Sequence, residues 1–70
     1  MNHTRNSFRE NRIKKSFTQK KLAELSGVTE TTIRNIESRR VNPSFELAIK
    51  LSKILCVNFE LLWDIDFEQF

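Results

Sequence analysis

Apolar residues along this chain recur at intervals of three and four rather than alternately, and β-branched residues are scattered, so the pattern predicts helices and argues against a sheet. Most helical stretches open on a residue suited to capping. Ser7-Phe8-Arg9-Glu10 has the Ser-x-x-Glu form in which the two side chains satisfy backbone N–H groups reciprocally, predicting a first helix from Phe8 to Lys15. Thr18 is placed to cap a second, Gln19 to Leu25, with Leu22, Ala23 and Leu25 apolar; Gly27 ends it in the left-handed conformation of a sharp turn. Thr29 caps a third, Glu30 to Ser38, with Ile33 and Ile36 inward. Pro43 stops the chain and Ser44 restarts it into a fourth helix, Phe45 to Leu55, whose core stripe is Leu47, Ala48, Leu51, Ile54 and Leu55. Asn58 caps a fifth, Phe59 to Trp63. The expected fold is all-α with five helices over residues 8–63, after a flexible N-terminus at residues 1–7. The tail, residues 64–70, alternates in Asp64-Ile65-Asp66-Phe67-Glu68 and reads as a short strand or frayed coil.

Composition narrows the function. Seventy residues are near the lower limit for an independent core, where disulfides, metals or oligomerisation usually add stability. Cys56 is the single cysteine and His3 the single histidine, so no internal disulfide forms and no cysteine-rich metal site exists. Dimerisation is the remaining support. No apolar run approaches the roughly 18 residues of a membrane span, and MNHTRNSFRENR has no apolar signal core, so no membrane partner and a cytoplasmic location are expected. The charge is lopsided. All twelve Lys and Arg lie between Arg5 and Lys53 against five acids there (Glu10, Glu24, Glu30, Glu37, Glu46), while residues 57–70 hold four acids and no base. A basic body with an acidic end suits a polyanion on one side and a different surface on the other.

The link between the second and third helices carries the most local information. A helix, a turn centred on Gly27, and a helix with a polar exposed face form the arrangement that sets one helix in a DNA groove, although any small bundle can share it. The run Phe17-Thr-Gln-Lys-Lys-Leu-Ala-Glu-Leu-Ser-Gly-Val-Thr-Glu-Thr-Thr-Ile-Arg-Asn-Ile-Glu37, followed by Asn42-Pro43-Ser44, resembles the helix-turn-helix family of phage repressors and Cro, also called the xenobiotic-response-element family. The likeness continues through Leu47-Ala48-Ile49-Lys50-Leu51 and Leu55-Cys56-Val57 to Phe59-Glu60-Leu61-Leu62, covering residues 8–63. It implies a repressor-like helix-turn-helix domain, a partner of double-stranded DNA and a small transcriptional regulator, with no cofactor. One position departs from the pattern: family members usually carry Gly where this chain has Arg39. Either that loop is strained by roughly 1 kcal/mol, or the third helix ends differently.

Helical geometry then assigns candidate contacts. With Ile33 and Ile36 inward, Thr31, Arg34, Asn35 and Ser38 form an opposite stripe flanked by Glu30. Asparagine matches adenine bidentately, arginine matches guanine, a threonine methyl packs on thymine and glutamate accepts from cytosine, so Glu30, Thr31, Arg34 and Asn35 are the candidate base readers. A solvated polar face is the bland alternative. Gln19 opens the second helix, where side-chain amide and free backbone N–H groups meet a phosphate, as the family resemblance also implies. Thr29, Thr32, Ser38, Arg39, Arg40 and Asn42 complete the candidate phosphate contacts. For Arg12 and Glu37 the resemblance implies an ion pair joining the first helix to the end of the third; the competing reading has Arg12 on phosphate.

Catalysis finds no support in the sequence: no histidine lies near Cys56, no glycine-rich phosphate loop is present and no paired carboxylates share a credible pocket. Cys56 reads as a small core or interface residue. Phe59, Trp63, Ile65 and Phe67 are large apolar groups near an acidic end and are the candidate homodimer contact. The alternative is a protein-interaction module, an antitoxin or anti-repressor, whose protein partner uses the same patch.

Overall fold

The computed structural model describes residues 4–63, and the alternating segment with Ile65 and Phe67 lies outside the described residues. The described chain is all-helical: α1 (Asn6–Lys14), α2 (Gln19–Ser26), α3 (Glu30–Glu37), α4 (Phe45–Leu55) and α5 (Phe59–Trp63). Three caps act as their residue types dictate. Thr18 Oγ1 accepts from the Lys21 N–H, Thr29 Oγ1 from Thr32 and Ser44 Oγ from Leu47, each satisfying a donor that the first turn leaves unpaired.

The start of α1 differs from expectation. The helix begins at Asn6, behind Arg5, and no side chain caps it. Ser7 Oγ instead donates to the Leu61 carbonyl at 2.7 Å, tying α1 to α5, because a tertiary acceptor competes for the same hydroxyl. Residues 4–7 are likewise built into the domain rather than forming a flexible lead. Arg5 is buried, and its backbone N–H donates to Glu37 O at 2.7 Å.

Four helices end alike. After α1, α2, α3 and α4 the chain passes through a residue of positive φ: Ser16 (61°), Gly27 (77°), Arg39 (64°) and Cys56 (58°). In each case the following N–H bonds back into the last turn: Phe17 to Arg12 O, Val28 to Ala23 O, Arg40 to Asn35 O and Val57 to Ser52 O. This left-handed cap satisfies carbonyls that a helix end leaves open, and glycine suits it best. Only α2 has its glycine. The Arg39 loop is therefore the strained alternative of the two that the sequence left open.

The core is one cluster. Phe8, Leu22, Ile33, Ile36, Leu51 and Leu62 are wholly buried, with Ala23, Ala48, Leu55 and Trp63 nearly so. Leu47 and Ile54 pack partly against it, while Leu25 is largely exposed. Trp63 corrects the sequence reading. Its ring stacks on Phe8 at 5.3 Å between centroids, and its Nε1–H donates to Ala48 O and Ser52 Oγ, both at 3.1 Å. It completes the core of one copy and is covered rather than offered as a dimer anchor. The reason lies in its indole N–H, which finds buried acceptors on α4 and so draws the ring inward. Cys56 is exposed in the left-handed turn that ends α4, which removes the core reading of this residue and leaves the interface one. No helix among the described residues is long and apolar enough to cross a membrane.

Candidate nucleic-acid interface

Ile33 and Ile36, both wholly buried, seat α3 with one face on the core. That leaves Glu30, Thr31 and Arg34 exposed, with Asn35 and Ser38 half-buried at the edge of the same face. The short side chains of Thr31 and Ser38 let a ligand approach the α3 backbone, while Arg34 and Asn35 supply longer donors. Glu30 and Arg34 pair along the helix at 3.5 Å, with both side chains about half exposed. Such a surface pair contributes only about 0.3–0.5 kcal/mol, so a base edge or phosphate can displace it readily.

The start of α3 is a pair of hydroxyls. Thr29 Oγ1 and Thr32 Oγ1 lie 2.9 Å apart while Thr29 also caps the helix. At the far end, the Asn35 carbonyl gathers Arg40 N–H at 2.9 Å, Val41 N–H at 3.3 Å and Ser38 Oγ at 3.3 Å. This closes the chain into a tight loop and brings Arg39 and Arg40, both exposed, immediately behind the α3 face. The Asn42 Oδ1 accepts from Arg5 Nη2 at 2.7 Å, which leaves its amide nitrogen as the group suited to meet an anion.

Glu37 is the hub beneath this surface. Its carboxylate, 8% exposed, takes a bidentate fork from Arg12: Nε to Oε1 at 2.9 Å and Nη2 to Oε2 at 3.1 Å. The third Arg12 nitrogen donates to Phe17 O at 2.8 Å, so the guanidinium is turned inward. That geometry suits the structural reading of Arg12 rather than the phosphate one. A buried carboxylate without such a partner is strongly disfavoured, so the pair holds α1, the turn before α2 and α3 in one relation.

Gln19 Nε2 also reaches Glu37 Oε2, at 3.4 Å, placing the start of α2 beside the end of α3. Between them lies a recess of about 120 Å³ lined by Thr4, Arg9, Gln19, Arg34, Glu37 and Ser38. Arg9 is a site residue that the sequence did not single out. Its Nε stands 3.7 Å from Glu37 Oε2 and its side chain is half exposed. The available signal was its spacing, three residues ahead of Arg12 and so on the same side of α1. With Arg12 already balancing Glu37, Arg9 and Arg34 leave the recess cationic.

Past the Asn42 loop, at the start of α4, Phe45 meets the half-buried ring of Phe59 edge-on at 5.7 Å. Phe45 is 71% exposed and Leu61 is 65% exposed. Phe45 and Phe59 therefore form an apolar pair open to solvent, Leu61 is exposed on another side of α5, and Trp63 is buried.

A capped helix, a three-residue glycine turn and a second helix with an exposed donor face flanked by cations define a DNA-binding helix-turn-helix domain. The chain matches the family described as Helix-turn-helix over residues 8–62. It is 37% identical over 65 residues to a protein of Archaeoglobus fulgidus named as an uncharacterized HTH-type transcriptional regulator, covering 93% of each chain. A second protein of that organism with the same name is 34% identical over 65 residues, covering 93% of this chain and 92% of the relative. The chain belongs to the helix-turn-helix family of the phage repressor and Cro type.

Proposed function

We propose that the protein is a sequence-specific regulator of transcription that lays α3 in the major groove of double-stranded DNA. The observation that carries this reading is the composition of the exposed α3 face: Thr31, Arg34 and Asn35 outward, Ile33 and Ile36 buried, and Arg39 and Arg40 immediately behind. Glu30, Thr31, Arg34 and Asn35 read bases. Gln19, Thr29, Thr32, Ser38, Arg39, Arg40 and Asn42 hold phosphates on either side, joined by Arg9 from α1. The relatives' shared name supports the regulatory role. Occupying a groove excludes other proteins from the same duplex, so repression is the simplest output.

The protein acts as a homodimer, because a domain this small reads too few base pairs alone and paired half-sites multiply its discrimination. The apolar pair of exposed Phe45 and half-buried Phe59 is the contact that the exposures favour. The same surface supports the rival reading, a module whose main target is another protein. Selection of bound sequences from random duplex DNA at stated salt tests the first reading and reports half-site spacing and symmetry together. Asn35→Ala is expected to relax preference at one base pair per half-site, at a cost of about 1–3 kcal/mol. Recovery of no enriched sequence by the wild-type protein would sink the DNA reading and favour the rival.

A further inference from the structure

The chain entering α1 crosses the C-terminal end of α3, and Arg5 is the residue at the crossing. It is 8% exposed. Its backbone N–H donates to Glu37 O at 2.7 Å, and its Nε donates to Ile36 O at 2.9 Å. Its Nη2 donates to Val41 O at 3.2 Å and to Asn42 Oδ1 at 2.7 Å. The guanidinium carbon stands 5.8 Å from the centroid of the Trp63 ring.

These acceptors belong to two different elements. The Ile36 and Glu37 carbonyls lie in the last turn of α3, whose end favours a cation, and Ile36 O also accepts from the Arg39 N–H at 3.2 Å. Val41 and Asn42 lie in the loop that also carries Arg39 and Arg40. One planar guanidinium therefore spans the end of the base-reading helix and the phosphate-facing loop, and its fixed fork sets the angle between them. The neighbouring carbonyl of Thr4 adds to the clasp by accepting from Arg39 Nε at 3.5 Å. Because Arg5 holds the oxygen of the Asn42 amide, the amide nitrogen is turned to the other side.

We propose that Arg5 is a positioning residue for DNA binding: it locks the loop of Arg39 to Asn42 against the end of α3, so that phosphate contacts and base-reading face engage one duplex together. Resting on the DNA-binding reading above, this assigns a role to a residue that touches no DNA. A lysine at the same place keeps the charge and loses the fork.

The experiment measures binding of the wild type, Arg5→Lys, Asn42→Ala and the double variant to a selected operator and to an unrelated duplex. It runs across a salt series with the folded fraction followed by circular dichroism. Arg5→Lys is expected to weaken binding to both duplexes by roughly five- to tenfold, with a shallower salt dependence and unchanged base preference, as loss of one or two aligned phosphate contacts requires. In the Asn42→Ala background the same change is expected to cost much less. A folded Arg5→Lys protein with wild-type affinity and salt slope overturns the proposal, as do losses that simply multiply in the double variant. If Arg5→Lys does not fold, amide exchange decides: Asn42→Ala should speed exchange at the Arg40 and Val41 N–H groups, and unchanged rates there overturn the lock. A wild type that binds neither duplex instead overturns the DNA reading itself.

Discussion

Arg39 separates a backbone effect from a charge effect at a single position. It stands at φ 64°, in the left-handed region, where it forms the cap of α3. For an L-residue that conformation costs roughly 1–2 kcal/mol, and glycine avoids the cost. Glycine also gives the unfolded chain more freedom, which returns about 0.4–1 kcal/mol to that state relative to alanine. The difference leaves Arg39→Gly more stable than Arg39→Ala by about 0.5–1 kcal/mol, or about 2–8 °C in melting temperature for a domain of this size. The guanidinium itself adds little to folding, since its described bond is an exposed one of 3.5 Å to Thr4 O. Arg39→Ala should therefore fold much like the wild type. For DNA the ranking changes, because both variants lose the cation and both should flatten the salt dependence by about 0.9 in slope. Urea titration and salt-series anisotropy on the three proteins read the two effects separately. Equal stability of the Gly and Ala variants would refute the strain argument, whatever happens to binding.

Removing one partner of the Arg12–Glu37 pair, by Arg12→Met or Glu37→Leu, should cost about 3 kcal/mol or more in urea unfolding, whereas the double variant Arg12→Met with Glu37→Leu should cost less than the two single losses combined; strictly additive losses would show that the pair is not coupled. Trp63→Phe removes the donor to Ala48 O and Ser52 Oγ and part of the packing on Phe8, and should destabilise the fold by about 1–3 kcal/mol while leaving sedimentation at saturating stability unchanged. A shift in self-association with no loss of stability would return Trp63 to the interface. Arg40→Ala should weaken every duplex by a similar factor and lower the salt slope by about one, and a loss confined to the selected operator would show that Arg40 reads bases.

Helix positions were legible because they depend on local chemistry. Thr18, Thr29 and Ser44 cap the helices that the apolar spacing predicts, and the bounds of α4 and α5 coincide with those expected. The outward face of α3 was equally legible, since two buried isoleucines three residues apart determine which side is left for Thr31, Arg34 and Asn35. What the sequence could not decide are choices between partners that lie far apart along the chain. Ser7 was free to cap α1 or to reach Leu61, and the second bond spans 54 positions. Trp63 had an apolar ring suited to a core or to an interface, and acceptors on Ala48 and Ser52 settled it. Arg5 looked like one more cation in a polar lead until the end of α3 and the Asn42 loop converged on it from 31 to 37 positions away. Positive φ at Ser16, Arg39 and Cys56 has the same origin: packing dictates where each helix must stop, and the residue that happens to stand there takes the left-handed turn at some cost. Local propensity determines where helices form, whereas burial and hydrogen-bond satisfaction across the folded chain determine which of several competent polar groups is used for what.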